Sequence, residues 1–547
     1  MSDAVVVGAG PNGLVAANVL ADAGWDVVVL EANDVPGGAV RSAEVTAPGF
    51  RNDLFSAFYP LAVASPALAA LDLEQHGLRW CRAPLVVANP TPDGPTAVLS
   101  TDLDETAASL DRFAPGDGDG WRHLYELWQR VGDQLIGALT EPFPPVVAGA
   151  KVAAALGPAR AMPFTRMALM TVRRLAQEEF AGGGGGVLLG GCALHTDLSP
   201  ESAGGGLFGW VLGSLGQAKG FPVPEGGAQS LTDALVRRLV ERGGRVECGV
   251  RVTRIEVQGG RAVGVTASDG ASFEASRAVL ADVGAPALYS HLVAAEHLPA
   301  RVLEDVRRFE YGSGTVKVDW ALDAPIPWLD PEVNRAGTVH VTDSLDDLSD
   351  MSSQLVRGLL PANPYLVMGQ MTTADPTRSP AGTESAWAYA HVPRDVKGDA
   401  GPDGLTGSWD DHETERFVER MEGRIERMAP GFRDHILARH VFTPPTLQAA
   451  NANLVGGEIN GGTAQLHQQL VFRPVPGLGR PDTPVDRLFL ASASAHPGGG
   501  VHGACGANAA RAALGRDRRT RRLVAVGAAL SAAALAGRAA GRRGSAQ

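Results

Sequence analysis

Lysine is scarce in this chain of 547 residues: of 48 basic residues only Lys151, Lys219, Lys317 and Lys397 are lysine. A catalytic amine therefore has few addresses. Cysteine is as rare. Cys81, Cys192, Cys248 and Cys505 lie far apart, with no CxxC pair and no metal-ligand spacing. That pattern excludes a redox dithiol, a zinc site and a disulfide framework, so no metal is expected. Net positive charge is missing too: the balance is −12, which excludes a sequence-wide affinity for nucleic acid. No charged n-region or cleavage site precedes the apolar run at Ala4, and a cytoplasmic location is the expectation. What remains is 45% hydrophobic and 20% charged, the composition of a globular core, at a length suited to two interleaved domains.

The first thirty residues, "AVVVGAGPNGLVAANVLADAGWDVVVLEA", read as strand, glycine turn, helix and strand. Gly8, Gly10 and Gly13 fill a GxGxxG pattern, and Glu31 closes the second strand eighteen residues further on. Glycines allow a tight turn and close backbone approach to a pyrophosphate, the helix N-terminus attracts it, and the acid suits ribose hydroxyls. The pattern predicts a dinucleotide site.

Directly after Glu31, "VPGGAVRS" resembles the second glycine motif of flavoproteins in the amine oxidase and carotenoid desaturase superfamily. The resemblance spans roughly residues 1 to 515. It is nearest to the phytoene desaturase-like group that includes the pyridine nucleotide-disulfide oxidoreductase domain-containing protein 2 proteins, with "GFPVPEGG" and the PGGGV turn as its most specific marks. It implies FAD, with Gly38 packed against the ADP portion and Arg41 and Ser42 reaching the phosphates. It also implies that Val252 meets adenine through its backbone and that "FRNDLFSAFYP" passes close to the flavin. The implied fold is α/β: a Rossmann-like FAD-binding domain of the amine oxidase type, interleaved with an α+β substrate domain. Its segments are 1–60, 226–284 and 451–515 for FAD, and 61–225 and 285–450 for substrate, followed by a basic and apolar tail, 516–547. The dithiol and nicotinamide site in that group's name have no counterpart in these residues, because the chain has neither a CxxC nor a second convincing GxGxxG.

In "HPGGGVHGACGANAA", residues 496–510, three glycines precede an alanine-rich helix. In the relatives this turn lies against the isoalloxazine ring, which assigns Gly500 and the Val501 N–H to the flavin. Partial positive charge at a helix start favours a reduced, anionic flavin. Where relatives place Gly-Asp to hold the ribityl chain, this chain has Ala491-Ser492, and Ser492 takes that role in the expectation. The catalytic candidates are three. Lys317 lies in the alternating strand "GTVKVDWAL", similar to the amine oxidase strand whose lysine holds a water beside flavin N5; a Lys317–Asp319 pair on a solvated strand face is the rival reading. His496, before the turn, titrates near neutrality. His195 is balanced between an active-site and a structural role. Packing roles are expected for His502 and Cys505.

"AGGGGG" at 181–186 lacks a preceding strand and a GK[ST] ending, so it reads as a loop or close helix packing. The stretch "VVAGAKVAAALGPARAMPFTRMALMTVRRL" is apolar and cationic with no acid, as suits peripheral membrane contact, a channel cover or a solvated cap. The tail "LVAVGAALSAAALAG" is short for a bilayer span. These readings combine into an FAD-dependent oxidoreductase acting on a hydrophobic small molecule, with an external acceptor such as O2 or a quinone. Desaturation in the manner of phytoene desaturase leads. An O2-using amine oxidase, a nicotinamide-dependent reductase and a flavin-binding regulatory protein without turnover are the rivals. Homodimerisation is left open by the sequence.

Overall fold

The computed structural model describes residues 1–92 and 94–519. Its first sheet is built around two apolar runs, Ser2–Val7 and Val27–Leu30, packed on both faces. Five parallel strands lie in the order Leu488–Leu490, Ser272–Ala281, Ser2–Val7, Val27–Leu30 and Arg245–Glu247. Val5 is in register with Val279 on one side and Val28 on the other. Side-chain alternation then divides the core. Ala4, Val6, Val27 and Val29 pack under Leu14, Ala17 and Leu20 of helix Pro11–Asp22 and Leu231, Leu235 and Leu239 of helix Gln229–Glu241. Val5, Val7, Val28 and Leu30 face Ile255, Ala262 and Val265. Those three belong to an antiparallel meander, Val252–Gln258 and Arg261–Ala267, which ends in the first half of Ser272–Ala281. One long strand thus serves both the meander and the parallel sheet.

The second sheet runs Ile436–Phe442, Gly314–Leu322, Glu384–Val392, Leu366–Gln370, Ala336–Val341, Leu85–Asn89 and Ala97–Leu99. All its pairings are antiparallel except Leu85–Asn89 with Ala336–Val341. Two strands from before residue 225 therefore complete a sheet formed mainly after residue 285. Val316, Val318 and Trp320 pack beneath it on Phe417, Val418, Met421 and Ile425 of helix Asp411–Met428. Thr315, Lys317 and Asp319 point the other way.

A helical layer, Asp117–Thr140, Val146–Leu169, Val172–Glu179, Gly184–Leu194 and Gly205–Lys219, encloses Trp121, Trp128 and Trp210. The glycine run opens helix Gly184–Leu194, where a Cβ on Gly185 would lie 2.4 Å from the Phe180 ring. Close packing explains it. No described helix is long and apolar enough to cross a membrane. Residues 516–519 continue the helix that begins at 504, and the apolar run of the tail lies outside the described residues.

Candidate functional site

The carboxyl ends of the parallel strands converge on one cleft. It is lined by Gly8, Gly10, Glu31, Gly38 and Val252, together with Asp282, Asn451 and Asn453. The glycines are sterically required. A Cβ on Gly13 would lie 2.1 Å from the Gly8 carbonyl oxygen, and one on Gly10 would lie 2.6 Å from Asp282 Oδ2. Glu31 is locked in place: Oε2 accepts the Ala9 N–H at 2.8 Å and Oε1 the Asn33 N–H at 2.9 Å. Asn12 Oδ1, at the start of helix Pro11–Asp22, is buried without a partner. A helix start with no side chain at its own N-cap residue, a fixed acid and an unpartnered amide oxygen fit the diphosphate and ribose of a dinucleotide.

Asp282 was not legible from the sequence. It follows the strand Ser272–Ala281, and its Oδ2 accepts the Gly13 N–H at 2.8 Å inside the glycine turn. Burial pushes its carboxyl up to about 7, against the pull of that hydrogen bond and with a further push from Glu31.

The second glycine motif departs from expectation. Gly38, at φ 55°, would place a Cβ 3.0 Å from the Gly10 Cα, so it does pack on the first turn. Arg41 donates to the carbonyls of Gly38 and Ala450 and lies 5.1 Å from the Phe55 ring centroid. Ser42 does not reach toward a phosphate: its hydroxyl donates to Asp53 Oδ1 at 2.6 Å and accepts the Gln229 N–H at 3.1 Å. Helix Gln229–Glu241 lacks a capping side chain at its own N-cap residue, and Ser42 supplies one from 187 residues away.

Ser492 is buried just beyond strand Leu488–Leu490, accepting the Ser494 N–H. The 498–500 glycines meet protein on several sides. A Cβ on Gly499 would lie 2.8 Å from the Asn460 carbonyl oxygen, and one on Gly500 would lie 2.6 Å from Leu61. Close protein packing is thus a second reason for these glycines, beside the expected ring. Val501 is β-branched and sits at φ 47°, a strained conformation of the kind that collects at functional turns. Fully buried Arg473 donates to the carbonyls of Ala493, Gly461 and Thr463, bracing the turn from behind. His502 Nδ1 accepts the Ala504 N–H, and the Cys505 thiol is buried.

Lys317 forms the pair with Asp319, but the strand face is not solvated. Its Nζ lies 2.5 Å from both carboxylate oxygens, and the two side chains are 4% and 0% exposed. Strands Glu384–Val392 and Ile436–Phe442 flank this one and bring Trp387, Tyr389, His440 and Phe442 alongside. Lys317 Nζ is 5.7 Å from the Trp387 ring centroid. Burial holds the Asp319 carboxyl up at about 6 despite the lysine. His496 donates from Nε2 to the Glu141 carbonyl, packs edge-on to Phe143, and is driven down to about 4 by burial. His195 shares a 2.9 Å Nε2–Nε2 contact with His340 and is driven down to about 4 by burial. Neither histidine carries charge at neutral pH. No hydrogen bond, ion pair or ring contact joins Lys317, His496 and His195 to one another among the described residues.

A dinucleotide cradle beside a mixed sheet with a strained, glycine-rich turn is the arrangement of a flavin-dependent oxidoreductase. Residues 6–70 match the NAD(P)-binding Rossmann-like domain, and residues 161–382 match the flavin containing amine oxidoreductase family. Pyridine nucleotide-disulfide oxidoreductase domain-containing protein 2 of Mus musculus is 28% identical, over 93% of this chain and 92% of its own. The phytoene desaturase (neurosporene-forming) of Rhodobacter capsulatus is 26% identical, over 92% and 91%. An oxidoreductase structure from Methanosarcina mazei superposes with a TM-score of 0.58 at 17% identity, covering 93% of this chain and 99% of that one, and shows the shared fold. Over most of its length the chain is similar to the amine oxidase and carotenoid desaturase superfamily, and it is an FAD-dependent oxidoreductase.

Proposed function

We propose that this flavoenzyme desaturates a hydrophobic small molecule and passes the electrons to an external acceptor, O2 or a quinone. The observation that carries the reading is the surroundings of Lys317. Its charge is neutralised by Asp319, and Trp387, Tyr389 and Phe442 stand beside it on the flanking strands, surroundings suited to an apolar substrate rather than to a free ion. The desaturase relative from Rhodobacter capsulatus supports it. FAD supplies the hydride acceptor. The chain's part is to hold it: the turn at Gly8–Gly13 takes the diphosphate, Glu31 the ribose, and the helix start at 504, whose first N–H already bonds His502 Nδ1, offers partial positive charge.

The amine oxidoreductase family match favours a second reading, oxidation of an amine with O2. One experiment separates the two. Flavin absorbance of the purified protein is recorded anaerobically before and after addition of NADPH, isoprenoid alkenes or amines. Bleaching by alkenes supports the desaturase. Bleaching by amines, with a Lys317→Met variant that keeps flavin reduction but loses reoxidation by O2, moves the protein to the oxidases. Bleaching by NADPH makes it a reductase. A bound flavin that no donor reduces, with a protein partner recovered alongside, would make it regulatory.

A further inference from the structure

Helix Val146–Leu169 exposes large apolar side chains on its outer face. Val146, Val147, Met162 and Leu169 are 72%, 66%, 76% and 63% exposed. Gly157, at φ 67° before Pro158, divides the helix into two halves. In the first, Val147, Ala150, Lys151 and Ala154 share the outer face, and in the second Met162, Thr165, Arg166 and Leu169 do, each set at i, i+3, i+4 and i+7 spacing. Ala148, Leu156 and Met167 face inward. The apolar surface continues past the helix. The Leu169 carbonyl accepts the Gly204 N–H, and Leu466 lies beside Gly204 at the start of a 466–472 turn in which Leu466 and Phe472 are 40% and 45% exposed.

The helix itself carries charge of one sign. Residues 142–177 hold no acid in a chain that has 60. Arg166 is paired with Glu178, while Lys151 and Arg160 have no carboxylate partner among the described residues. A second copy docked through the same face would set these cations against each other. An anionic lipid surface complements both the apolar side chains and the charge. We propose that helix Val146–Leu169, with the 466–472 turn, is the surface by which this protein lies on an anionic bilayer. The contact is peripheral. A cavity of about 630 Å³ opens beneath the second half-helix, lined by Met162, Phe164, Met167 and Met170 together with charged side chains that include Arg166 and Glu178. Its methionine and phenylalanine side chains give a lipid-soluble molecule apolar contact, a use that rests on the substrate reading above, whereas the bilayer contact itself is measured without turnover.

The test is sedimentation of the full-length, FAD-loaded protein with vesicles of phosphatidylcholine alone or mixed with phosphatidylglycerol. Binding to the mixed vesicles is expected, weakened by salt and lowered about tenfold or more in Lys151→Glu/Arg160→Glu. Val147→Glu/Met162→Glu should lower it on both vesicle types. All four positions are exposed, so flavin content and thermal midpoint should match the parent protein. Failure to pellet with either vesicle overturns the proposal. So does binding unchanged in both double variants, which would assign the contact elsewhere. Self-association of the parent protein that is lost in Val147→Glu/Met162→Glu would make the face a subunit interface and overturn it as well. None of these outcomes depends on which molecule reduces the flavin.

Discussion

Asp282 occupies the helix N-terminus at which the diphosphate is proposed to bind. The carboxyl accepts the Gly13 N–H, is pushed up to about 7 by burial, and has Glu31 as the other acid in the cleft. Because the folded-state value is raised, the stability it contributes to the apoprotein is present below the ordinary carboxylate range and lost as pH climbs through about 7. The same ionisation places a second negative charge beside the phosphates. FAD affinity should therefore fall several-fold between pH 6 and pH 8, and Asp282→Asn should remove most of that slope. Calorimetric titration of the apoprotein at the two pH values checks it, and equal slopes in the two proteins would refute it. Glu31 was legible because its strand and glycine turn are local in sequence. Asp282 was not, since its partner is 269 residues away.

Two helices meet almost backbone to backbone at the flavin end. A Cβ on Gly506 would lie 1.8 Å from the Asn12 carbonyl oxygen, so the helix beginning at 504 rests directly on the first turn of Pro11–Asp22. Gly506→Ala should separate them. We expect a cost of about 1–3 kcal/mol from overpacking, with a several-fold loss of bound FAD, because the glycine cradle and the 498–501 turn move together. Gly515→Ala, with nothing within 4 Å, is the control and should leave flavin content unchanged. Thermal unfolding and flavin absorbance per protein report both effects. At this scale the sequence was readable where period and punctuation agreed: the strand–turn–helix at the start, the Gly226-Gly227 turn into Gln229–Glu241, and the alternation of Gly314–Leu322. It misled where one side chain chose between partners. Ser42 stands in an FAD motif yet caps a helix, and Lys317 stands on an alternating strand in a sheet face that an earlier segment covers, with Phe55 against Phe442 and Phe58 against Trp387 of the two flanking strands.

The two sheets are joined by buried charge that no local pattern announces. Asp53 Oδ1 accepts the Ser42 hydroxyl and the Ala228 N–H, both from the nucleotide side. Its Oδ2 pairs with Arg378 at 2.7 Å from the substrate side, and both side chains are fully buried. Alongside, Asp375 Oδ2 accepts the Gly226 N–H, so the short turn after strand Leu366–Gln370 grips the nucleotide half at two points. A buried pair of this kind gains little over apolar residues of the same shape, but an orphaned member is costly. Arg378→Leu leaves Asp53 unmatched and should destabilise the protein by about 3–5 kcal/mol. Asp53→Asn/Arg378→Leu should recover most of that loss, since no buried charge remains while an amide can still accept from Ser42 and Ala228. Urea unfolding followed by tryptophan and flavin fluorescence tests the link between the halves. In the parent protein the two signals should change together, because the halves lose their shared charges in one step. In Arg378→Leu the flavin should leave at lower urea than the tryptophan transition. A single variant within about 1 kcal/mol of the parent, with coincident transitions, would mean that apolar contacts alone hold the halves together.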